Sequence, residues 1–144
     1  MEIQPLGMIL GGLKGIFPRL MANRMSELGI TYTFDQMVVL MIVRHSKQKQ
    51  LVQQDIAEHM KKDKSLVLRI VDVLEKDGLI VRITDPNDRR RNIINITGKG
   101  VDLTDLFYAE EQLITKELMV GLTDEEIYTF YKVINHVKTR AEEF

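Results

Sequence analysis

The chain has no cysteine. Disulfides, thiolate nucleophiles and thiol redox sensing are excluded together. No window approaches the roughly 18 consecutive apolar residues of a membrane span. The loosely apolar start, MEIQPLGMILGGLKGIFPRLM, has no basic segment ahead of its apolar part and no obvious cleavage site, so it is not read as a signal peptide. Repeats, low-complexity tracts and Gly/Ser linkers are missing as well. So are the short catalytic signatures, with neither a phosphate-cradling glycine loop nor an HExxH zinc motif. The glycines of GMILGGLKG (7–15) are no dinucleotide fingerprint, because no strand precedes them. His45, His59 and His136 are scattered without ligand spacing. No enzyme, no metal and no other cofactor is expected.

What is present fits one globular domain. The 144 residues are 44% hydrophobic and 28% charged, long enough for a working core and too apolar for a disordered chain. A cysteine-free chain without a span suits the cytoplasm. The net charge of −1 conceals an asymmetry. Residues 44–99 carry 13 Lys/Arg against 8 Asp/Glu, a balance of +5, whereas residues 102–144 carry 4 against 10, a balance of −6. The basic charge gathers at Arg44 to Lys64 and Arg82 to Lys99. A polyanion-binding surface needs local rather than global charge. Solvated basic faces on an ordinary protein are the plain alternative.

Apolar periodicity organises the chain. Leu6 to Leu28 reads as a helix that Pro18 should bend or divide. Thr33 to about His45 is a second, with Thr33 and Gln36 at capping-box spacing, followed by the polar run SKQKQ. Gln53 to Met60 is a short helix with Ile56, Ala57 and Met60 inward. Asp63 is a good N-cap for Lys64 to Asp77, whose Val67, Ile70, Val71 and Leu74 follow i, i+3, i+4, i+7 and which Gly78 ends. LIVRIT (79–84) and RNIINIT (91–97) are β-rich runs joined by strong turn chemistry, Asp85-Pro86-Asn87-Asp88. Two helices follow. Leu103, Leu106, Phe107, Leu113, Ile114 and Leu118 line the first. The second starts at Thr123, with Glu126 in capping-box register, and carries Ile127, Phe130, Tyr131, Ile134 and Val137. The expected fold is mainly α with a small β-hairpin wing (α+β), a helix-turn-helix followed directly by a two-stranded wing.

In a helix-turn-helix the second helix enters the major groove, N-terminal residues first. With Val67, Ile70, Val71 and Leu74 inward, 100° per residue puts Ser65 and Arg69 nearly opposite, flanked by Lys64 and Leu68. Arg69 suits guanine, Ser65 a phosphate or base edge, and Leu68 a thymine methyl. Lys62 and Lys64 beside the helix N-terminus favour an anion. The wing tip stacks Arg89, Arg90 and Arg91, which solvent tolerates and a polyanion rewards. A slim hairpin can deliver an arginine into a narrow, electronegative minor groove. Asp88, two residues before Arg90, is expected to hold its guanidinium. A solvated amphipathic helix and a harmless hairpin with one local ion pair would explain each feature alone.

The run DKSLVLRIVDVLEKDGLIVRITDPNDRRRNIINITGKG (63–100) resembles the MarR family of bacterial transcription regulators. The matching elements are Leu74-Glu75 with Gly78-Leu79, then Asp85-Pro86-Asn87-Asp88-Arg89-Arg90, then Ile96-Thr97 with Gly100. Tyr32-Thr33 with Gln36 and Ile56-Ala57 extend the likeness. The resemblance implies a winged-helix homodimer that binds double-stranded DNA at a pseudopalindromic operator, usually as a repressor relieved by a small-molecule effector. It places Ser65 and Arg69 toward the major groove, and Asp88 with Arg90 in the wing. Three positions depart from the pattern. Leu66 and Leu68 stand where hydroxyl residues are common, Val52 replaces a Ser/Thr cap at a cost of about 1 kcal/mol, and Lys61 replaces a frequent glycine.

The expected organisation is one domain, 1–144. It has a DNA-binding lobe at 33–100 and a helical dimerisation region from 1–30 plus 101–144, whose stripes are too apolar to lie solvated. A two-fold dimer sets two recognition helices roughly 34–36 Å apart. The competing expectation is a winged helix given over to protein–protein contact without specific DNA binding.

Overall fold

The computed structural model describes residues 5–46 and 50–143. Lys47 and Lys49, part of the basic stretch, and most of the polar run SKQKQ lie outside the described residues. The elements are α1 (Leu6–Leu13), α2 (Ile16–Glu27), α3 (Phe34–His45), α4 (Gln53–Met60), α5 (Lys64–Lys76), β1 (Ile80–Thr84), β2 (Asn92–Ile96), α6 (Gly98–Leu118) and α7 (Asp124–Ala141). Among the described residues no helix is long and apolar enough to cross a membrane. The chain forms two compact units, Met1–Glu111 and Gln112–Phe144.

The first unit holds the helix-turn-helix and its wing. The helix expected from Leu6 to Leu28 is divided, but at Lys14-Gly15 rather than at Pro18. Pro18 is the third residue of α2, where its missing N–H is one of the donors that helix starts leave unpaired anyway. Glycine-rich sequence ahead of it is the weaker helix former. Thr33 caps α3 with the complete box, Gln36 N–H to Thr33 Oγ1 at 3.2 Å and Thr33 N–H to Gln36 Oε1 at 2.7 Å. At α4 the valine cap offers no acceptor, and only half a box survives, Val52 N–H to Asp55 Oδ2 at 2.9 Å.

Val39, Leu40, Ile56, Val67, Val71, Leu74, Leu79 and Ile80 are the buried centre of this unit. Each such side chain contributes about 1.5–3 kcal/mol. The four α5 positions expected inward, Val67, Ile70, Val71 and Leu74, are the four buried ones. Between α4 and α5 the chain turns at Lys61, the sole non-glycine with positive φ among the described residues (φ 51°). Lys61 and Lys62 N–H groups return to Glu58 O and Ala57 O, closing α4 as a glycine would. Gly78 (φ 73°) closes α5.

The strands pair antiparallel from Ile80↔Ile96 to Thr84↔Asn92. Strand β2 is fastened beneath by Ile94 N–H to Leu51 O at 2.8 Å and by a bridge from Val52 to Ile93. Arg44, counted above with the basic stretch, turns to α6 instead. It donates to Thr104 Oγ1 at 2.5 Å and pairs with Asp105 at 2.6 Å.

The second unit holds the end of α6 and all of α7. Thr123 and Glu126 form the expected capping box. No α7 side chain is buried: Ile127, Ile134 and Val137 are half-covered, and Phe130 and Tyr131 are exposed. The apolar line expected along α6 also splits. Phe107 and Ile114 are buried, while Leu106, Leu113 and Leu118 are exposed.

Candidate nucleic-acid interface

Helix α5 presents Lys64, Ser65, Leu68 and Arg69 outward, all exposed, with Leu68 43% accessible. Asp63 organises its start. Asp63 Oδ1 accepts from Ser65 N–H at 2.7 Å and from the Ser65 hydroxyl. These bonds hold the Asp63 carboxyl below the usual carboxylate range. The Ser65 hydroxyl proton is thereby engaged by Asp63. Arg69 folds back along the helix, Nε to Ser65 O at 3.4 Å. Lys62, itself exposed, pairs at 3.4 Å with Asp35 at the start of α3.

The wing tip differs from expectation in one respect. Asp88 does not hold the Arg90 guanidinium; Asp88 Oδ1 accepts from the Arg90 backbone N–H at 2.9 Å. The i, i+2 rule applies to strands, and residues 85–91 are a turn, since β1 ends at Thr84 and β2 begins at Asn92. Two side-chain-to-backbone turns build it instead. The first uses Asp85, whose Oδ1 accepts from Asn87 N–H at 2.8 Å. The second is that of Asp88. The backbone closes with Asp85 N–H to Arg91 O and Arg91 N–H to Asp88 O, both at 2.9 Å.

The three arginines are therefore unequal. Arg91 is drawn back to Asp85, at 3.8 Å. Arg89 and Arg90 are exposed, and among the described residues neither has a carboxylate at ion-pair distance. The buried carboxylate of Asp85 escaped the sequence reading, which saw only a turn former. Arg82 escaped it too. Its guanidinium meets Asp72 at 2.5 Å and Glu75, and its backbone N–H donates to Glu75 Oε1 at 3.1 Å. Burial works against the Arg82 charge, yet the hydrogen bonds that it donates to Asp72 and Glu75 raise its pKa above the ordinary arginine value. A lone cation inside an apolar strand was the signal available.

This helix-turn-helix with an arginine-tipped hairpin is a winged helix, and comparison with known proteins places it further. The MarR family profile matches residues 28–91. The HTH-type transcriptional regulator PapX of Escherichia coli is 30% identical over 110 residues, 75% of this chain and 67% of that protein. Wild-type MarR of E. coli in its apo form superposes with a TM-score of 0.82 at 25% identity, over 94% of this chain and 98% of that one. A MepR–DNA complex from Staphylococcus aureus matches with a TM-score of 0.76 at 21% identity, over 96% of this chain and 99% of that one, a likeness of fold. The chain belongs to the MarR family of transcriptional regulators.

Proposed function

We propose that the chain is a homodimeric regulator that reads a pseudopalindromic operator and represses from it. The observation that carries this reading is the exposed row Lys64, Ser65, Leu68 and Arg69 on α5, in a chain whose adjoining wing ends in exposed Arg89 and Arg90. Arg69 reads a guanine, worth about 1–3 kcal/mol of discrimination, and Leu68 lies against a thymine methyl. Lys62 and Lys64 take phosphates beside the helix N-terminus. Arg89 and Arg90 enter the minor groove, Asp88 shapes the turn, and Arg91 stays with Asp85. That a protein of the same fold is seen bound to DNA supports a DNA-binding role.

Residues 33–100 form the DNA-binding lobe in this reading, and 1–30 with 101–144 the dimerisation region. Exposed Leu6, Met8, Ile9 and Leu13 on α1, and exposed Tyr128, Phe130, Tyr131 and Val133 on α7, favour a second copy as their cover. The −6 balance of residues 102–144 keeps that region away from phosphates. An effector has a seat in a cleft of about 640 Å³ lined by Phe34, Leu66, Arg69, Ile70 and Val73 among others, where it would engage a groove-reading side chain directly.

Selection of bound sequences from a random duplex pool tests the whole reading. It should enrich two inverted half-sites about 10–10.5 base pairs apart. A pool without two-fold symmetry would overturn the dimeric operator reading. Indifference to duplex at low salt would favour a protein-contact module. Phe130→Glu should shift the sedimenting species from dimer to monomer.

A further inference from the structure

We infer that Arg82 is a positioning residue for DNA reading: it sets the pitch of the wing against α5, so that Arg90 and the outer face of α5 reach one duplex. The inference rests on the proposed DNA-binding function. An isolated two-stranded hairpin is marginally stable and has no preferred angle to its neighbours. Here one rung of the ladder, Arg82↔Ile94, is gripped from both sides. On the β2 side, buried Ile94 donates its N–H to Leu51 O at 2.8 Å. On the β1 side, Arg82 reaches two positions of α5. Its Nη2 meets Asp72 Oδ1 at 2.5 Å, its Nη1 meets Glu75 Oε2, and its backbone N–H meets Glu75 Oε1 at 3.1 Å. Both oxygens of Glu75 are thus committed to one strand residue. The Arg82 side chain is only 20% exposed, so its planar fork is held in a fixed geometry.

The clamp has a second effect. Asp72 lies seven residues after Ser65 and three after Arg69, on the same outer side of α5. A bare carboxylate there would repel the phosphates that Lys64 attracts. Arg82 neutralises it from behind and leaves the outer face basic.

A double-mutant cycle on one duplex at fixed salt separates positioning from general stability. With Arg90→Ala weakening the wild-type protein about tenfold, a loss of about 1.4 kcal/mol, the same substitution in an Arg82→Ala background should cost less than about threefold. Arg82→Ala alone should then weaken binding nearly as much as Arg90→Ala. Arg82→Lys should recover part of the loss, since it keeps the charge without the fork. Glu75→Gln retains an acceptor for the Arg82 N–H and should reduce the Arg90 contribution in a chain whose melting curve stays cooperative. An equal cost of Arg90→Ala in both backgrounds overturns the positioning role and leaves the DNA-binding reading standing. No cost of Arg90→Ala in the wild-type background overturns the wing reading, and this inference with it.

Discussion

The guanidinium of Arg91 lies 3.8 Å from the carboxylate of Asp85, and Asp85 is only 2% exposed beneath the wing turn. A buried carboxylate is retained when donors surround it. Here they are the Asn87 N–H and the Arg91 side chain. Asp85→Ala should destabilise the protein by about 1–3 kcal/mol, because it empties a buried site and leaves the part-buried Asn87 N–H and the Arg91 guanidinium without their acceptor. Asp85→Asn should cost less, since its amide oxygen still accepts from Asn87. Among the arginines the effects should divide. Arg91→Ala should lower the urea midpoint and change DNA affinity little, whereas Arg90→Ala should lower affinity and leave the midpoint alone. The reverse pattern would mean that Arg91 is the inserted residue.

Acid should unfasten the start of α5 in a traceable way. The Ser65 hydroxyl and N–H hold the Asp63 carboxyl below the usual range, so its folded pKa lies under its unfolded value. Its contribution is therefore complete above the unfolded pKa near ~3.9 and is lost as pH falls through the folded value. The stability gap between wild type and Asp63→Ala should stay constant from about pH 7 to pH 5 and narrow as pH falls below the unfolded value. Urea titrations at those pH values measure it, and a gap unchanged at the acid end would show that the carboxylate is not the stabilising group.

Periodic features were legible in the sequence, and long-range charge pairing was not. Val67, Ile70, Val71 and Leu74 announced the inner face of α5 because helical spacing is a local property. The Thr33–Gln36 and Thr123–Glu126 boxes were equally local. Arg82 with Asp72 and Glu75 was hidden because it joins a strand to a helix seven to ten residues earlier, at an angle that only packing decides. The pairing at the tip was misassigned for a related reason. Where strand becomes turn, alternation fails, and Asp88 meets the Arg90 backbone instead of its side chain. The exposure of Phe130 and Tyr131 was equally out of reach, since an apolar stripe does not say whether its cover lies in the same chain.

The Ile96-Thr97 and Gly100 element acquires a physical meaning that yields a sharp test. A Cβ on Gly100 would sit 2.2 Å from Leu79 O and 2.7 Å from Ile96 Cγ1. The first contact is backbone and cannot rotate away. Thr97 completes the junction, its hydroxyl donating to Gly78 O at 2.7 Å while accepting from Gly100 N–H at 3.1 Å. Gly100→Ala should cost about 3 kcal/mol, the upper range for overpacking. Gly98→Ala, where a Cβ meets nothing within 4 Å, should be nearly neutral. Thermal unfolding of the two variants makes the comparison, and equal melting temperatures would contradict the close approach of α6 to the start of the wing.

Lys61 stands in the left-handed region at φ 51°, ψ 43°, and does so to end α4 and open the turn into α5. A side chain there meets a steric cost of roughly 1–2 kcal/mol that glycine escapes. Glycine in turn gives the unfolded chain more freedom, which offsets part of the gain. Lys61→Gly should therefore raise the unfolding free energy by about 0.5–1 kcal/mol, and Lys61→Asn by less. The carbonyls of Ala57 and Glu58 keep their partners in both variants, because those bonds come from backbone N–H groups. Chemical unfolding at pH 7 decides the matter. A loss of stability in Lys61→Gly would show that the lysine side chain itself stabilises the turn, outweighing the strain of its backbone.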